Sequence, residues 1–416
     1  MTETIRIKRF NARPVIVPMN LPLQTSTGAV ARAPLVLIDC ETDQGAVGHA
    51  YLFSITPSAL KPLTAMVTEM SDLLAGDELL PFEIERKLTQ RFTLLGLAGL
   101  QRLAQSGIDM AAWDALARAR GLPLARLLGG APKPVKAYNS KGLGIMPAGA
   151  AVDEAHKLLA EGFQATKIRV GRPDAREDLA VVRAVRKAVG DHVTLMCDYN
   201  QALTVTEAIR RGEMLDDEGL TWIEEPIRHD DYAGCARIAD ALHTPVQIGE
   251  NFDSAFSMQT ALSTEACDYV MPDVQRIGGV TGWLRAASLA HAAGIEMSTH
   301  LFSEVSAHLL CVTPTAHWLE YVDWADAVLA TRLKIKDGFA LPNEEPGNGI
   351  AWDEAAVKKI SRELERVLVK AQMSAFEGYA EILCLIRELP VFDPGCVKTR
   401  RIETRLELHS SVGRLS

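Results

Sequence analysis

Three carboxylates close successive apolar runs in this chain: Asp198 in "VTLMCDYN", Glu224 in "LTWIEEP" and Glu250 in "PVQIGEN". Brought to one place, three acids repel one another unless a cation sits between them. Hard oxygen ligands in that number suit magnesium. Two more polar strand ends follow, Asp273 in "CDYVMPD" and His300 in "GIEMSTH". A carboxylate bonded to one ring nitrogen fixes the imidazole tautomer and raises the basicity of the other nitrogen, so the pair reads as a proton-accepting dyad. Glu320 ends "AHWLEY". A carboxylic acid held neutral there can donate a hydrogen bond to a substrate carboxylate.

A second signal lies in "EGFQATKIRVGRPDARED", where Lys167 and Arg169 are two residues apart on a β-prone run. Side chains alternate faces along a strand, so both cations point the same way. An ammonium facing a carboxylate and a metal needs only its charge. Arginine makes a poor base: with a free pKa of roughly 13.8, losing its proton near pH 7 costs about 9 kcal/mol.

These residues need elements that bring them together. From about residue 134, eight β-prone runs alternate with amphipathic segments: "VKAYNS", "QATKIRV", the three acid-bearing runs, "CDYVMPD", "GIEMSTH" and "AHWLEY". Segments such as "REDLAVVRAVRKAVG" and "VTGWLRAASLAHAAG" carry apolar residues at helical spacing and stop at Gly. Strand–helix alternation gives a parallel sheet, and eight units favour closure into a TIM-type (β/α)8 barrel, with the site at the C-terminal ends of its strands. Glu320 then faces Lys167 across the closing seam. Before the barrel, "PLVLIDCETDQGAVGHAYLF" reads as a hairpin, followed by helical patterns through "GIDMAAWDALARARG". The expected organisation is an α+β capping domain over 1–130, the barrel over 131–325, a segment over 326–366 that returns to the cap, and an extension over 367–416 without catalytic role.

Composition limits the function. With 48% apolar and 23% charged residues and a net charge of -9, the chain reads as a soluble globular protein without the basic footprint of a nucleic-acid binder. No run approaches the roughly 18 apolar residues of a membrane span, and "MTETIRIKRFNARP" has no signal-like core. Seven scattered cysteines without CxxC spacing fit reduced thiols in a cytoplasmic protein. His156, His192, His243 and His409 read as structural. "GLGIMP" lacks the third Gly of a dinucleotide loop, and neither a P-loop nor GxSxG occurs.

The ordered segments "PLVLID", "GHAYLF", "GIDMAAWDALA", "DLAVVRAVRKAVGD", "DYNQ", "TWIEEP", "PVQIGEN", "MPDVQRIGGVTGW", "STHLFSEVSAHLL" and "TPTAHWLE" resemble the enolase superfamily, in its mandelate racemase subgroup, over residues 1 to 365. The resemblance implies an α/β fold, a capping α+β domain on a modified (β/α)7β barrel. It implies magnesium on Asp198, Glu224 and Glu250, the Asp273–His300 dyad as one base, Glu320 as the electrophilic acid, and Asn200 and Arg276 as supporting site residues. Homo-oligomers, often octamers, are implied as well. The subgroup pattern carries Lys-x-Lys, in which the first Lys contacts the substrate carboxylate and the second is a base on the face opposite the His. Here Lys167 matches the first, and Arg169 replaces the second.

Two reactions share the expected half-reaction, removal of the α-proton of a small carboxylate through an enediolate. A racemase or epimerase of a 2-hydroxy acid returns the proton on the other face through Arg169 or a water it positions. An acid-sugar dehydratase uses His300 alone and expels a β-hydroxyl. Thr25, Ser26 and Thr27 in the flap "LPLQTSTGAV" favour a hydroxylated ligand, and Tyr51 on the hairpin helps to shape the pocket. The third reading is a barrel that keeps the metal and has lost catalysis.

Overall fold

The computed structural model describes residues 4–26 and 28–362. Thr27, His409, Cys384, Cys396 and the extension expected from 367 lie outside the described residues. Residues 1–360 form one compact unit.

The cap is a three-stranded antiparallel sheet, β1 (Ile7–Thr25), β2 (Gly28–Thr42) and β3 (Val47–Phe53), in that order, backed by α1 (Leu60–Leu74), α2 (Pro81–Phe92) and α3 (Gly99–Ala119). A one-turn helix, α4 (Leu124–Leu127), leads out. The hairpin of β2 and β3 matches the sequence expectation. Strand β1 does not appear in that reading because it contains Pro14, Pro18 and Pro22, which lack the amide a central strand needs. It is tolerated as an edge strand whose register slips between Pro18 and Leu23. Gly48 lets β3 lie against α3: a Cβ there would stand 2.2 Å from the Ala111 carbonyl oxygen.

The barrel follows as β4 (Val135–Asn139), α5 (Ala148–Leu159), β5 (Ala165–Arg169), α6 (Ala175–Val189), β6 (Thr194–Asp198), α7 (Val205–Leu215), β7 (Ile223–Glu224) and α8 (Tyr232–Ala241). It continues through β8 (Val246–Ile248), α9 (Ala255–Ser263), β9 (Tyr269–Val270), α10 (Val274–Ile277), α11 (Gly279–Ala293), β10 (Glu296–Met297), α12 (Ser303–Leu310) and β11 (Leu319–Tyr321). Helix α6 shows why the sequence folds this way. Asp174 caps its first turn by accepting from the Arg176 amide, Val181, Val182, Val185 and Val189 face the core, and Gly190 ends it at φ 83°. Strands β4 to β10 are parallel neighbours, and β11 pairs with β4 on one side while the Thr299 amide donates to the Trp318 carbonyl at 2.9 Å on the other. The ring is closed, as a (β/α)7β barrel.

After the barrel, β12 (Lys334–Lys336) and β13 (Phe339–Leu341) form a hairpin whose second strand pairs with the start of β4. The chain then returns to the cap: Asn348 Nδ2 donates to the His49 carbonyl at 2.8 Å and Trp352 Nε1 to Asp39 at 2.6 Å. Cap and barrel are also joined through α3. Asp109 accepts from the Thr281 amide at 3.0 Å in the first turn of α11, and Trp113 Nε1 donates to the Thr281 hydroxyl at 3.0 Å. The described cysteines, Cys40, Cys197, Cys235, Cys267 and Cys311, are buried and unpaired.

Candidate active site

Strands β6, β7 and β8 lie side by side, with Asp198 in register with Glu224, so the carboxylates ending them converge at one end of the barrel. One oxygen from each of Asp198, Glu224 and Glu250 lies within 4.8 Å of the others. Burial pushes the Glu224 carboxyl up to about 8 against the pull of Lys167, with Asp198, Glu320 and Glu250 adding to the rise. Such a donor set is short of positive charge. All three ligand groups are hard oxygens, which fits magnesium.

Lys167 sits among them. Its Nζ donates to Glu224, lies 3.1 Å from Asp198 Oδ2 and 2.9 Å from Glu320 Oε1, and is buried. Burial works against the ammonium, but Glu224, Glu320 and Asp198 outweigh it and hold Lys167 well above its usual range. It is a fixed charge. Burial favours the neutral form of Glu320, and Lys167, His300, the Ser140 hydroxyl and Arg169 together draw it the other way, below the usual carboxylate range.

The dyad is assembled by a parallel bridge between Asp273 and His300. His300 Nδ1 is 2.7 Å from Asp273 Oδ2, which leaves Nε2 facing the cluster, 3.4 Å from Glu250 Oε2 and 3.9 Å from Glu320 Oε2. Burial disfavours the imidazolium, but Glu250, Glu320 and Asp273 raise it to about 10. The proton on His300 is therefore governed by the carboxylate charge around it.

Arg169 neither pairs with a carboxylate nor stands loose. Its Nη1 donates to the Ser140 and Gly142 carbonyls at 2.8 and 2.6 Å, and its Nη2 to the Ser140 hydroxyl at 2.8 Å, while that hydroxyl donates to Glu320 Oε1 at 2.6 Å. The guanidinium thus fixes the loop after β4 and, through Ser140, one oxygen of Glu320.

The flap and hairpin residues have partners within the protein. The Thr25 hydroxyl donates to the Gly28 carbonyl at 2.9 Å within the turn, and the Ser26 hydroxyl to the Tyr199 carbonyl at 2.8 Å, anchoring the flap tip to the barrel. Tyr51 gives its hydroxyl to Glu304 at 2.9 Å and leaves its ring against Phe302, at 5.0 Å between centroids. Phe53 lies 5.0 Å from Trp324. Asn200 steadies Asp198 through its amide and Nδ2, at 2.8 and 3.1 Å. Arg276 is tethered by Nη1 to Asn251.

Several participants escaped sequence reasoning. Trp222 Nε1 holds Glu224 Oε2 at 2.9 Å, and Asn251 Nδ2 reaches both oxygens of Glu225, at 3.2 and 3.1 Å. Each flanks a candidate ligand in "WIEEP" or "GEN", so adjacency was the available signal. Ser140 ends the first barrel run, as the other site residues end theirs.

Fold and strand-end chemistry define a capped-barrel enzyme. The family model for the enolase C-terminal domain-like fold matches residues 150–356, and that for the mandelate racemase / muconate lactonizing enzyme N-terminal domain matches residues 9–129. The chain is 32% identical over 329 residues to L-talarate/galactarate dehydratase of Salmonella typhimurium, covering 77% of this chain and 81% of that one. Two solved structures superpose over 86% of this chain and 99% of theirs: an enolase from alpha proteobacterium bal199 with bound magnesium (46% identity, TM-score 0.84) and an enolase from Bradyrhizobium complexed with magnesium and mandelic acid (43% identity, TM-score 0.83). The chain belongs to the enolase superfamily, in its mandelate racemase/muconate lactonizing enzyme group. Its curated relatives include dehydratases, cycloisomerases and an epimerase.

Proposed function

We propose that this enzyme removes the α-proton of a small 2-hydroxy carboxylate and returns it, acting as a racemase or epimerase. The observation that carries the reading is the placement of His300 Nε2 and Lys167 Nζ on the same carboxylate cluster, with Asp273 holding the far ring nitrogen. Asp198, Glu224 and Glu250 are the residues that would hold magnesium, which when bound supplies positive charge that balances the clustered acids and stabilises an enediolate. Lys167 addresses the substrate carboxylate as a fixed charge, and Glu320 does so in its protonated form, as a hydrogen-bond donor, once the substrate's own charge takes up Lys167. The unbalanced acids hold His300 protonated, and a cation that offset Glu250 and its neighbours would let it lose that proton; it would then take the α-proton through Nε2, with Asp273 keeping the ring in the tautomer that permits it. Arg169, fixed beside Glu320 by Ser140, positions the proton source on the other face.

The choice of racemisation over acid-sugar dehydration is supported by the cap edge. The ring pairs Tyr51–Phe302 and Phe53–Trp324 make the contact between cap and barrel aromatic, while the Thr25 and Ser26 hydroxyls give their protons to backbone carbonyls. The mandelic acid in the Bradyrhizobium neighbour is in keeping with this. Dehydration is the second reading, favoured by the dehydratase relative and by the single imidazole base. A barrel without catalysis is disfavoured because the dyad and all three acids are assembled. Assembly into homo-oligomers is supported by the exposed Leu94, Leu95 and Phe256, and a cytoplasmic location by the unpaired cysteines; among the described residues no helix is long and apolar enough to cross a membrane.

The test is proton NMR in D2O with Mg2+ and a panel of aryl, alkyl and polyhydroxylated 2-hydroxy acids. Deuterium at the α-carbon with inversion supports racemisation. Loss of water to a keto acid establishes dehydration instead, and no exchange with any acid rejects proton abstraction.

A further inference from the structure

Strand β3 is an edge strand of the cap sheet, so its outward backbone groups need partners from elsewhere. At His49 they are met by Asp114, which accepts from the amide at 2.7 Å, and by Asn348, which donates to the carbonyl at 2.8 Å. At the far end of the strand a barrel residue does both. Gln275 Oε1 accepts from the Phe53 amide at 2.8 Å, and Gln275 Nε2 donates to the Phe53 carbonyl at 3.2 Å. A carboxamide offers a donor and an acceptor in the geometry of a peptide group, so Gln275 pairs with β3 as a further strand residue would.

The same residue is tied to the dyad. The Gln275 amide donates to Asp273 Oδ1 at 2.7 Å, and Asp273 Oδ2 holds His300 Nδ1 at 2.7 Å. A continuous hydrogen-bonded path therefore runs from His300 through Asp273 and Gln275 to Phe53. Every group on it between the ring and the strand is buried; Gln275 is 1% exposed and Asp273 0%. Phe53 and Tyr51 lie on one face of β3, turned towards Trp324 and Phe302 of the barrel, whereas Leu52 packs the other way, beside Gly107 of α3.

We propose that Gln275 is a positioning residue for specificity: bonded to Phe53 by its side chain and to Asp273 by its backbone, it sets where the Tyr51–Phe53 edge stands relative to the Asp273–His300 dyad, and so the space left for the group on the substrate's α-carbon. This rests on the proton-abstraction reading above. Gln275 does not touch the reacting atoms. Removing its two bonds to Phe53 leaves the dyad assembled, since the bond to Asp273 comes from the backbone, but frees the cap edge to shift. The consequence falls on substrates whose α-substituent reaches that edge.

The experiment compares mandelate, with a bulky aryl substituent, and lactate, with a methyl, in Mg2+-dependent α-proton exchange by wild type, Gln275→Met and Gln275→Glu. The Met variant keeps the side-chain length and loses both bonds; the Glu variant keeps the acceptor for the Phe53 amide and serves if the first does not fold. For mandelate KM should rise about tenfold in Gln275→Met with kcat within about twofold, and less in Gln275→Glu. For lactate neither parameter should move. Equal changes for both acids, or none in either variant, overturn the positioning role while leaving proton abstraction intact. Wild-type enzyme that exchanges neither acid rejects the functional reading for this substrate class and the inference with it.

Discussion

Lys167 and Glu320 meet across the seam where the eighth barrel strand returns to the first, with Nζ 2.9 Å from Oε1. The contact exists only because the ring closes: the two residues are far apart in the chain, and β11 reaches the neighbourhood of β5 through β4. It also draws the Glu320 carboxyl below its usual range. A buried ammonium beside a carboxylate favours the ionised form over the neutral acid that the strand-end pattern alone would allow.

Magnesium should stabilise the protein, because the clustered acids repel one another in the fold. At a Mg2+ concentration about 100 times Kd, linkage contributes about 2.7 kcal/mol, read as a rise in Tm of several degrees. Glu224→Gln should reduce the rise. Identical melting of chelator-treated protein with and without Mg2+ would reject the ligand assignment.

Replacing His300 by Asn should cut α-proton exchange at least about a hundredfold while substrate affinity stays near wild type, since Nε2 acts on the proton and Lys167 and Glu320 on the carboxylate. Isothermal titration with a non-reacting carboxylate gives the affinity and NMR gives the exchange. Exchange at the wild-type rate would remove the dyad from the mechanism.

Arg169→Lys tests the second face. If the arginine is only a binding cation and brings no proton source to the other face, wild type should exchange chiefly the enantiomer that presents its proton to His300. A lysine at 169, beside Lys167 and the metal site, can lose its proton more readily, so exchange of the opposite enantiomer should appear and increase with pH. Fast exchange of both enantiomers by wild type, with no gain in the variant, defeats the argument from arginine's basicity.

Acid should weaken the fold through two imidazoles, the buried His308 and the partly buried His317. Burial holds His308 and His317 down to about 4 in the folded chain, whereas an unfolded histidine titrates near ~6.5. Between those values the unfolded chain binds more protons, so stability rises with pH there. The contribution is complete above about 6.5 and is lost as pH falls through about 4, up to about 3 kcal/mol for each group. Urea midpoints measured from pH 7.5 to 4.5 should fall, and His308→Gln should flatten the slope. A variant slope equal to that of wild type would exclude His308 as a source.

The order of strands and the chemistry at their ends were legible in the sequence because both are local properties. Period-2 and period-3.6 patterning, glycine stops after α6 and α11, and an acid, His or Lys near the end of an apolar run all lie within a few residues of one another. Asp198, Glu224, Glu250, Asp273, His300 and Glu320 could therefore be named without coordinates. What only the tertiary structure decided depends on contacts between distant residues. Strand β1 was hidden by its prolines, which an edge position tolerates and a central one would not. The flap hydroxyls of Thr25 and Ser26 donate to backbone carbonyls, and the pull that lowers the Glu320 carboxyl comes from Lys167 across the barrel seam. Arg169 found its partners in Ser140 and Gly142, and Gln275 found its own in Phe53, 222 residues away. Local sequence sets which groups a segment offers. Closure of the barrel and docking of the cap set which of them are buried, what each one faces, and hence its protonation and its task.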